Sequence, residues 1–269
     1  MTDSGSKKWT GLSAEAAVSR LLEEHGGQLY RIGLRFCGNE ADAEDLVQQT
    51  FLQAFRKWDQ FKGDAAPTTW LYTIAARSCE RYKRRRSGEP KRLESLEELL
   101  PSKERRVVDL PSGGESPLDA QIRREARGAV EHAISALPTK LRMALVLKDI
   151  VELSVQDIAS VLRLKPATVK TRVHRARLML RRELARKLPR KSAPHPTHSK
   201  RICLDLLKAK QEALDGGVPF PVPPEEMCDR CQALFATLDL GRDTCRQLSR
   251  GELPPLLQQT LRVAFAAHK

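Results

Sequence analysis

The sequence predicts an all-α fold: two helical domains followed by a small cysteine-containing helical tail. Three observations carry that expectation. Apolar residues recur at three- and four-residue intervals through residues 12–87 and 117–188. No segment alternates apolar and polar residues strongly enough to form a sheet. Between the helical blocks stand Gly88-Glu89-Pro90 and Pro111-Ser112-Gly113-Gly114, residues that punctuate rather than continue helices. The 269 residues therefore divide into a helical domain over 12–87, a flexible linker over 88–116 with a short helix near 93–100, a second helical domain over 117–188, and a tail over 198–269. Pro194 and Pro196 mark the second linker, over 191–197.

Composition narrows the class. At 41% hydrophobic and 30% charged residues, the chain suits globular modules and is too polar for a membrane protein. No apolar run approaches the ~18–20 residues that a membrane span needs, and residues 1–10 lack the apolar core of a signal peptide. No membrane partner and a cytoplasmic location are expected. The net charge of +13 is blocked: between Arg163 and Lys191 twelve cations face the single carboxylate of Glu183. A second cluster is Lys83, Arg84, Arg85, Arg86, Lys91 and Arg92 against Glu89. Such blocks bind polyphosphates by releasing counterions, so nucleic acid is the expected partner.

In the first domain, residues 40–58 form an amphipathic helix on a wheel of 100° per residue. Ala43, Val47, Thr50, Phe51, Ala54, Phe55 and Trp58 share the core arc, and Asp45, Gln48, Gln49, Leu52 and Arg56 lie opposite. A single leucine among polar residues is either an ordinary exposed side chain or the anchor of a partner surface. After the loop of residues 61–67, a helix over 68–86 can turn Trp70, Leu71, Ile74 and Ala75 inward. Arg77, Arg81, Tyr82, Arg84 and Arg85 then reach outward toward phosphates and bases.

In the second domain, residues 137–177 read as a helix-turn-helix. Ser154 is placed to cap a helix over 155–162, with Asp157 three residues on as in a capping box. Ile158, Ala159 and Leu162 recur at packing intervals. A turn at 163–165 precedes Pro166, which suits the first position of the next helix. Val169, Val173, Ala176 and Leu180 make the inward stripe of that helix, leaving Thr168, Lys170, Thr171, Arg172, His174 and Arg175 outside. A second helix of this kind can enter the major groove.

Cys37 and Cys79 lie in helical segments and read as small buried residues. The tail holds His198, Cys203, Cys228-x-x-Cys231 and Cys245. A C-x-x-C pair grips zinc when two further ligands complete a tetrahedron. The candidate metal ligands are Cys203, Cys228, Cys231 and Cys245, with His198 as the alternative fourth. A zinc site, a thiol–disulfide switch through Cys228 and Cys231, and inert cysteines all stay open at this point.

The run 43–51, Ala-Glu-Asp-Leu-Val-Gln-Gln-Thr-Phe, followed from Trp70 by Trp-Leu-Tyr-Thr-Ile-Ala, resembles region 2 of the extracytoplasmic-function (ECF) sigma factors of bacterial RNA polymerase. Residues 137–177 resemble region 4 of the same family, and the two occur in the family's order. The resemblance implies a sigma factor that directs core RNA polymerase to promoter DNA, catalyses nothing and needs no cofactor. It assigns polymerase docking to Asp45, Gln48, Gln49 and Leu52. It assigns the −10 element to Lys62, Gly63 and Asp64 of the loop, and to Arg77, Arg81, Tyr82, Arg84 and Arg85 of the following helix. It assigns the −35 element to Thr168, Lys170, Thr171, Arg172 and Arg175. The family usually has Asn at Arg77, often Asp at Arg81, and Gly at Arg163; glycine accepts a left-handed backbone that arginine tolerates poorly.

The tail is similar to the zinc-binding domain of anti-sigma factors, with Pro224 where that family carries His. This implies a zinc ion in the tail and regulation of the sigma module by it; a separate anti-sigma factor is a further expected partner. The competing expectation is a stand-alone helix-turn-helix regulator, for which the region-2-like segment has no use. An enzyme acting on DNA is disfavoured, because no carboxylate cluster or Ser/Tyr nucleophile constellation is present and the C-x-x-C pair lacks a βαβ setting.

Overall fold

The structure, a computed structural model, describes residues 9, 11–84, 94–99, 105–110, 117–193, 195, 197–249 and 251–266, without the side chains of 80–84 and 117–119. In chain order the elements are α1 (Ala14–Cys37), α2 (Glu40–Arg56), α3 (Pro67–Arg84), α4 (Leu96–Leu99), β1 (Arg106–Val108), α5 (Pro117–Ala136), α6 (Thr139–Leu145), a π-turn (Val146–Ile150), α7 (Val155–Leu162), α8 (Pro166–Lys187), β2 (Arg190–Ser192), α9 (Lys200–Gly216), α10 (Asp229–Gln247) and α11 (Pro255–Ala266). Among the described residues the architecture is all-α apart from one two-stranded ribbon. No described helix is long and apolar enough to cross a membrane. The chain divides into two compact units.

The first unit comprises Met1–Glu89, Gln156–Lys165 and Leu248–Lys269. The Ser13 hydroxyl caps α1 by accepting from the Ala16 N–H at 3.2 Å. The Asn39 side chain caps α2 by accepting from the Asp42 N–H at 2.8 Å. Each cap satisfies an N–H that the helix itself leaves without a partner. Leu21, Leu29, Ile32, Phe36, Leu46, Phe51 and Leu71 from α1, α2 and α3 are buried to within 1% and form the core. The last helix joins this unit: α11 packs on α1 and α2 through Leu257, Leu261 and Phe265, one helical stripe at steps of four. Phe265 stacks on Phe55 with ring centroids 5.5 Å apart and planes 4° from parallel. At Gly27 the incoming chain comes so close that a Cβ would stand 2.3 Å from the Gly251 carbonyl oxygen.

The second unit comprises Pro90–Val155 and Pro166–Gln247. Ile134, Leu141, Leu145 and Leu147 are buried, as are Val169, Val173, Ala176 and Leu180, the stripe expected on α8, against which α5 and α6 pack. A second apolar cluster joins Leu99 of α4 and Leu178 of α8 to Leu207, Leu214, Cys228, Cys231, Leu234, Phe235 and Leu238 of the tail. Gly241 lets α10 approach α8 closely, since a Cβ there would lie 3.3 Å from Leu184 and 3.4 Å from Leu180. The tail is therefore not a module by itself: α9 and α10 share a unit with α8, and α11 belongs to the other.

The strands were not expected. β1 and β2 pair antiparallel with Arg106 opposite Ser192, Val107 opposite Lys191 and Val108 opposite Arg190. Each has three residues, too few for period-two alternation to stand out. Part of the segment read as flexible linker is thus ordered as α4 and β1.

Candidate nucleic-acid interface

On α8 the order of side chains around the axis decides which cations are available. Lys170, His174, Arg177 and Arg181 fall on one flank, beside the buried stripe. Arg177 is 2% exposed. Its Nε and Nη2 donate to Asp149 Oδ2 at 2.8 Å and Oδ1 at 2.6 Å, a two-pronged pair with the π-turn. Its Nη1 donates to Asp215 Oδ1 at 2.8 Å and Gln211 Oε1 at 3.1 Å, both on α9. His174 Nε2 lies 2.9 Å from Asp215 Oδ2, and Lys170 Nζ lies 4.0 Å from Glu212 Oε1. Burial pulls the Arg177 guanidinium down, but the two aspartates outweigh it and its pKa is raised. Burial pushes Asp215 up; the hydrogen bond with His174 and the charge of Arg177 outweigh that and hold it below the ordinary carboxylate value.

The twelve-cation block is accordingly divided: Arg163, Lys165, Lys187 and Arg190 are exposed, whereas Arg177 and Arg181 are buried and others meet carboxylates. Arg182 is bound to Glu94 at 2.9 Å, Arg186 to Glu183 at 2.6 Å and Lys191 to Asp109 at 2.9 Å. Arg181 is 2% exposed. Of the residues assigned to the −35 element, Thr168, Lys170, Thr171, Arg172 and Arg175 are all half-buried. The sequence offered no signal for the buried network, because Asp149 is 28 residues and Asp215 is 38 residues from Arg177.

The turn between α7 and α8 has the shape that the substitution of glycine made questionable. Arg163 takes φ 52°, in the left-handed region. The Leu164 N–H reaches back to the Ala159 carbonyl at 2.9 Å and the Arg163 N–H to Ser160 at 3.4 Å, closing α7 with the paired bonds of a Schellman motif. Arginine thus keeps the glycine geometry at a cost in backbone energy.

In the first unit, Asp45 and Gln49 are exposed on α2, and Gln48 and Leu52 are half-buried. The loop after α2 starts from an aromatic cluster: Trp58 stacks on Phe61 at 4.8 Å and meets Trp70 edge-on at 5.7 Å. The Trp58 indole N–H donates to the Leu12 carbonyl at 3.0 Å, which fixes the ring. From this base Lys62 and Asp64 project into solvent, and Gly63 turns the chain at φ 78°. Arg77 is exposed on α3. The side chains of Arg81, Tyr82 and Arg84, and the whole of Arg85, lie outside the described residues.

The tail cysteines differ from the expected ligand set. Cys245 is fully buried near the C-terminal end of α10, fourteen residues beyond Cys231 and so roughly 21 Å along the same helix axis. It cannot share a metal ion with Cys228 and Cys231, and spacing in the sequence concealed this because the helix is unbroken. Cys231 Sγ instead lies 4.0 Å from Cys203 Sγ, and Cys228 is hydrogen-bonded to Cys231 and His198. Burial pushes the Cys228 thiol up, but the Cys231 backbone N–H at the start of α10 and then the His198 side chain bring it to about 7. Burial, followed by Cys228 and Cys203, raises Cys231. The four side chains are thus neighbours in the order Cys203, Cys231, Cys228 and His198, while among the described residues no three His, Cys, Asp or Glu side chains converge on one point. Cys79 is buried and Cys37 is half-buried.

The family model for Sigma-70 region 2 matches residues 21–89, and that for Sigma-70, region 4 matches residues 127–180. The ECF RNA polymerase sigma factor SigW of Bacillus subtilis is 32% identical over 168 residues, which cover 62% of this chain and 89% of the relative. The chain belongs to the ECF RNA polymerase sigma factors. The ECF sigma factor SigE of Mycolicibacterium smegmatis is 36% identical over 179 residues, covering 65% of this sigma factor and 64% of the relative. The sigma factor RpoE of Bartonella quintana, solved with the anti-sigma factor NepR, shares 25% identity, with a TM-score of 0.44 over 61% of this chain and 94% of that one. The region 2 match sets aside the stand-alone regulator, which has no use for that segment. In this sigma factor both family matches end before residue 181, so α9, α10 and α11 lie beyond them.

Proposed function

We propose that this sigma factor binds core RNA polymerase and directs it to promoters in the cytoplasm, acting as an initiation factor rather than an enzyme. One observation carries the reading: regions 2 and 4 occur in order in one chain, separated by a linker. Two promoter elements set apart on a duplex need two readers, each positioned by contacts to the sugar-phosphate backbone and specified by contacts to bases. Asp45, Gln48, Gln49 and Leu52 dock on polymerase; Lys62, Gly63, Asp64 and Arg77, with Arg81, Tyr82, Arg84 and Arg85, serve the −10 element. Thr168, Lys170, Thr171, Arg172 and Arg175 serve the −35 element. Flipping a −10 base costs a few kcal/mol, and the loop raised on Trp58 and Phe61 supplies a firm edge against which contacts can repay it. Reconstitution with bacterial core polymerase tests this directly. Promoter-specific run-off transcripts are expected; binding to core without any specific transcript would refute it.

The tail regulates the sigma module. Cys203, Cys228, Cys231 and His198 form its chemical centre, a set that can serve either as zinc ligands or as a thiol switch. Metal analysis of the reduced protein decides the matter. Stoichiometric zinc that disappears in Cys228→Ser would establish the metal reading.

A further inference from the structure

The contacts of α9 fall on the part of α8 that a helix-turn-helix uses. In such motifs the N-terminal residues of the second helix meet the base edges. Lys170 and His174 lie in the N-terminal half of α8 and Arg177 at its middle, and each is bound by α9: Lys170 by Glu212, His174 by Asp215, and Arg177 by Asp215 and Gln211. The contact is a built one. His174, Arg177 and Gln211 are 8%, 2% and 1% exposed, and the Gln211 amide also reaches the His174 carbonyl at 3.4 Å. Below it, Leu178 of α8 packs in one apolar cluster with Leu207 and Leu214 of α9.

Charge then decides the outcome. Glu212 and Asp215 set two carboxylates against the N-terminal and middle turns of α8, where Lys170 would otherwise be offered to a phosphate. We infer that α9 is a built-in blocker of promoter DNA: its C-terminal turns, tied to Lys170, His174 and Arg177, oppose the approach of phosphates to α8 until they are released. The inference rests on the reading of α8 as the −35 helix.

The fold allows the lock to be cut without unfolding the unit. In Asp215→Asn, Arg177 keeps its two-pronged pair with Asp149. Glu212 is mostly exposed, with 67% of its side chain in solvent, so Glu212→Lys turns attraction to Lys170 into repulsion without disturbing the core. Asp205→Lys controls for charge: it makes the same change on the same helix at a residue paired with Lys208 of its own helix.

The full-length protein and these variants are titrated against a fluorescent duplex DNA pool of randomised sequence. Asp215→Asn and Glu212→Lys are expected to bind at least about fivefold tighter than the parent, since affinity scales with the fraction of molecules in the open state. Asp205→Lys is expected to bind distinctly less tightly than Glu212→Lys. Equal gains from the two lysine variants, or no gain from Asp215→Asn at a temperature where its circular dichroism matches that of the folded parent, would overturn the blocker. Adding Arg172→Ala and Arg175→Ala to Glu212→Lys separates the two claims. If they leave binding untouched, α8 is not the reading helix; if they abolish it and Glu212→Lys alone gains nothing, only the blocker fails.

Discussion

The Arg177 guanidinium and the Asp215 carboxylate stand 2.8 Å apart, with side chains 2% and 6% exposed, and they join helix α8 to helix α9. A charge pair this dry survives because every partner is supplied: Asp149 takes two of the guanidinium's donors, and Gln211 shares a third with Asp215. Breaking such a network from different sides has different consequences.

Asp149 is the inner partner, with its side chain 2% exposed. Its removal leaves the buried Arg177 with only Asp215 and Gln211, and its Nε and Nη2 lose their acceptors. Asp149→Ala is expected to destabilise the second unit by about 3–5 kcal/mol, the range for stranding one member of a buried ion pair. Urea unfolding monitored by circular dichroism measures it, and a loss below about 1 kcal/mol, the range of an exposed pair, would contradict this role.

Acid acts on the outer partner. Asp215 faces His174 and Arg177 of α8, with Lys148 of the π-turn contributing its charge, and its pKa is held below the ordinary value. A depressed carboxylate adds stability above its unfolded pKa and loses it as pH falls through its folded pKa. The contribution of Asp215 is therefore intact near neutrality and fades below about pH 3.9. Comparison of pH-dependent melting with Asp215→Asn checks the sign: the gap between the two proteins should narrow only in acid.

Arg163 holds the left-handed corner after α7 at φ 52°. A non-glycine residue pays about 1–2 kcal/mol there, partly offset because glycine loses more backbone entropy on folding. Arg163→Gly is expected to raise stability by up to about 1 kcal/mol, read as a higher Tm. A fall in Tm would show that the arginine side chain contributes more than its backbone costs.

For the reading helix, Arg172→Ala and Arg175→Ala should each weaken −35 duplex binding. If the contacts are to phosphates, each should reduce the salt dependence of log K by about one unit. Titration at several salt concentrations measures this, and unchanged slope and affinity would place the contacts on another face of α8.

Phe265 is 2% exposed against Phe55. Phe265→Ala removes the ring that seats α11 and is expected to cost about 3–5 kcal/mol of its docking. Hydrogen exchange over 255–266 should rise well before exchange in α1. Unchanged protection of α11 would mean that Leu257 and Leu261 suffice.

How much of this is legible in the sequence depends on the range of the interaction. The all-α class, the stripe Val169, Val173, Ala176 and Leu180, and the corner at Arg163 were readable because each is set by neighbours within a few turns of helix. The same holds for the region 2 and region 4 motifs, whose residues are near in sequence. The strands β1 and β2 were too short to signal themselves. Cys245 looked like a ligand beside Cys231 until α10 proved continuous between them. Tertiary structure alone decided that Arg177 is buried between two aspartates and that the tail divides, with α9 and α10 joining α8 and α11 returning to α1 and α2. Burial and charge pairing act between residues dozens of positions apart, and a pattern of period 3.6 carries no information on which distant carboxylate will meet a given arginine.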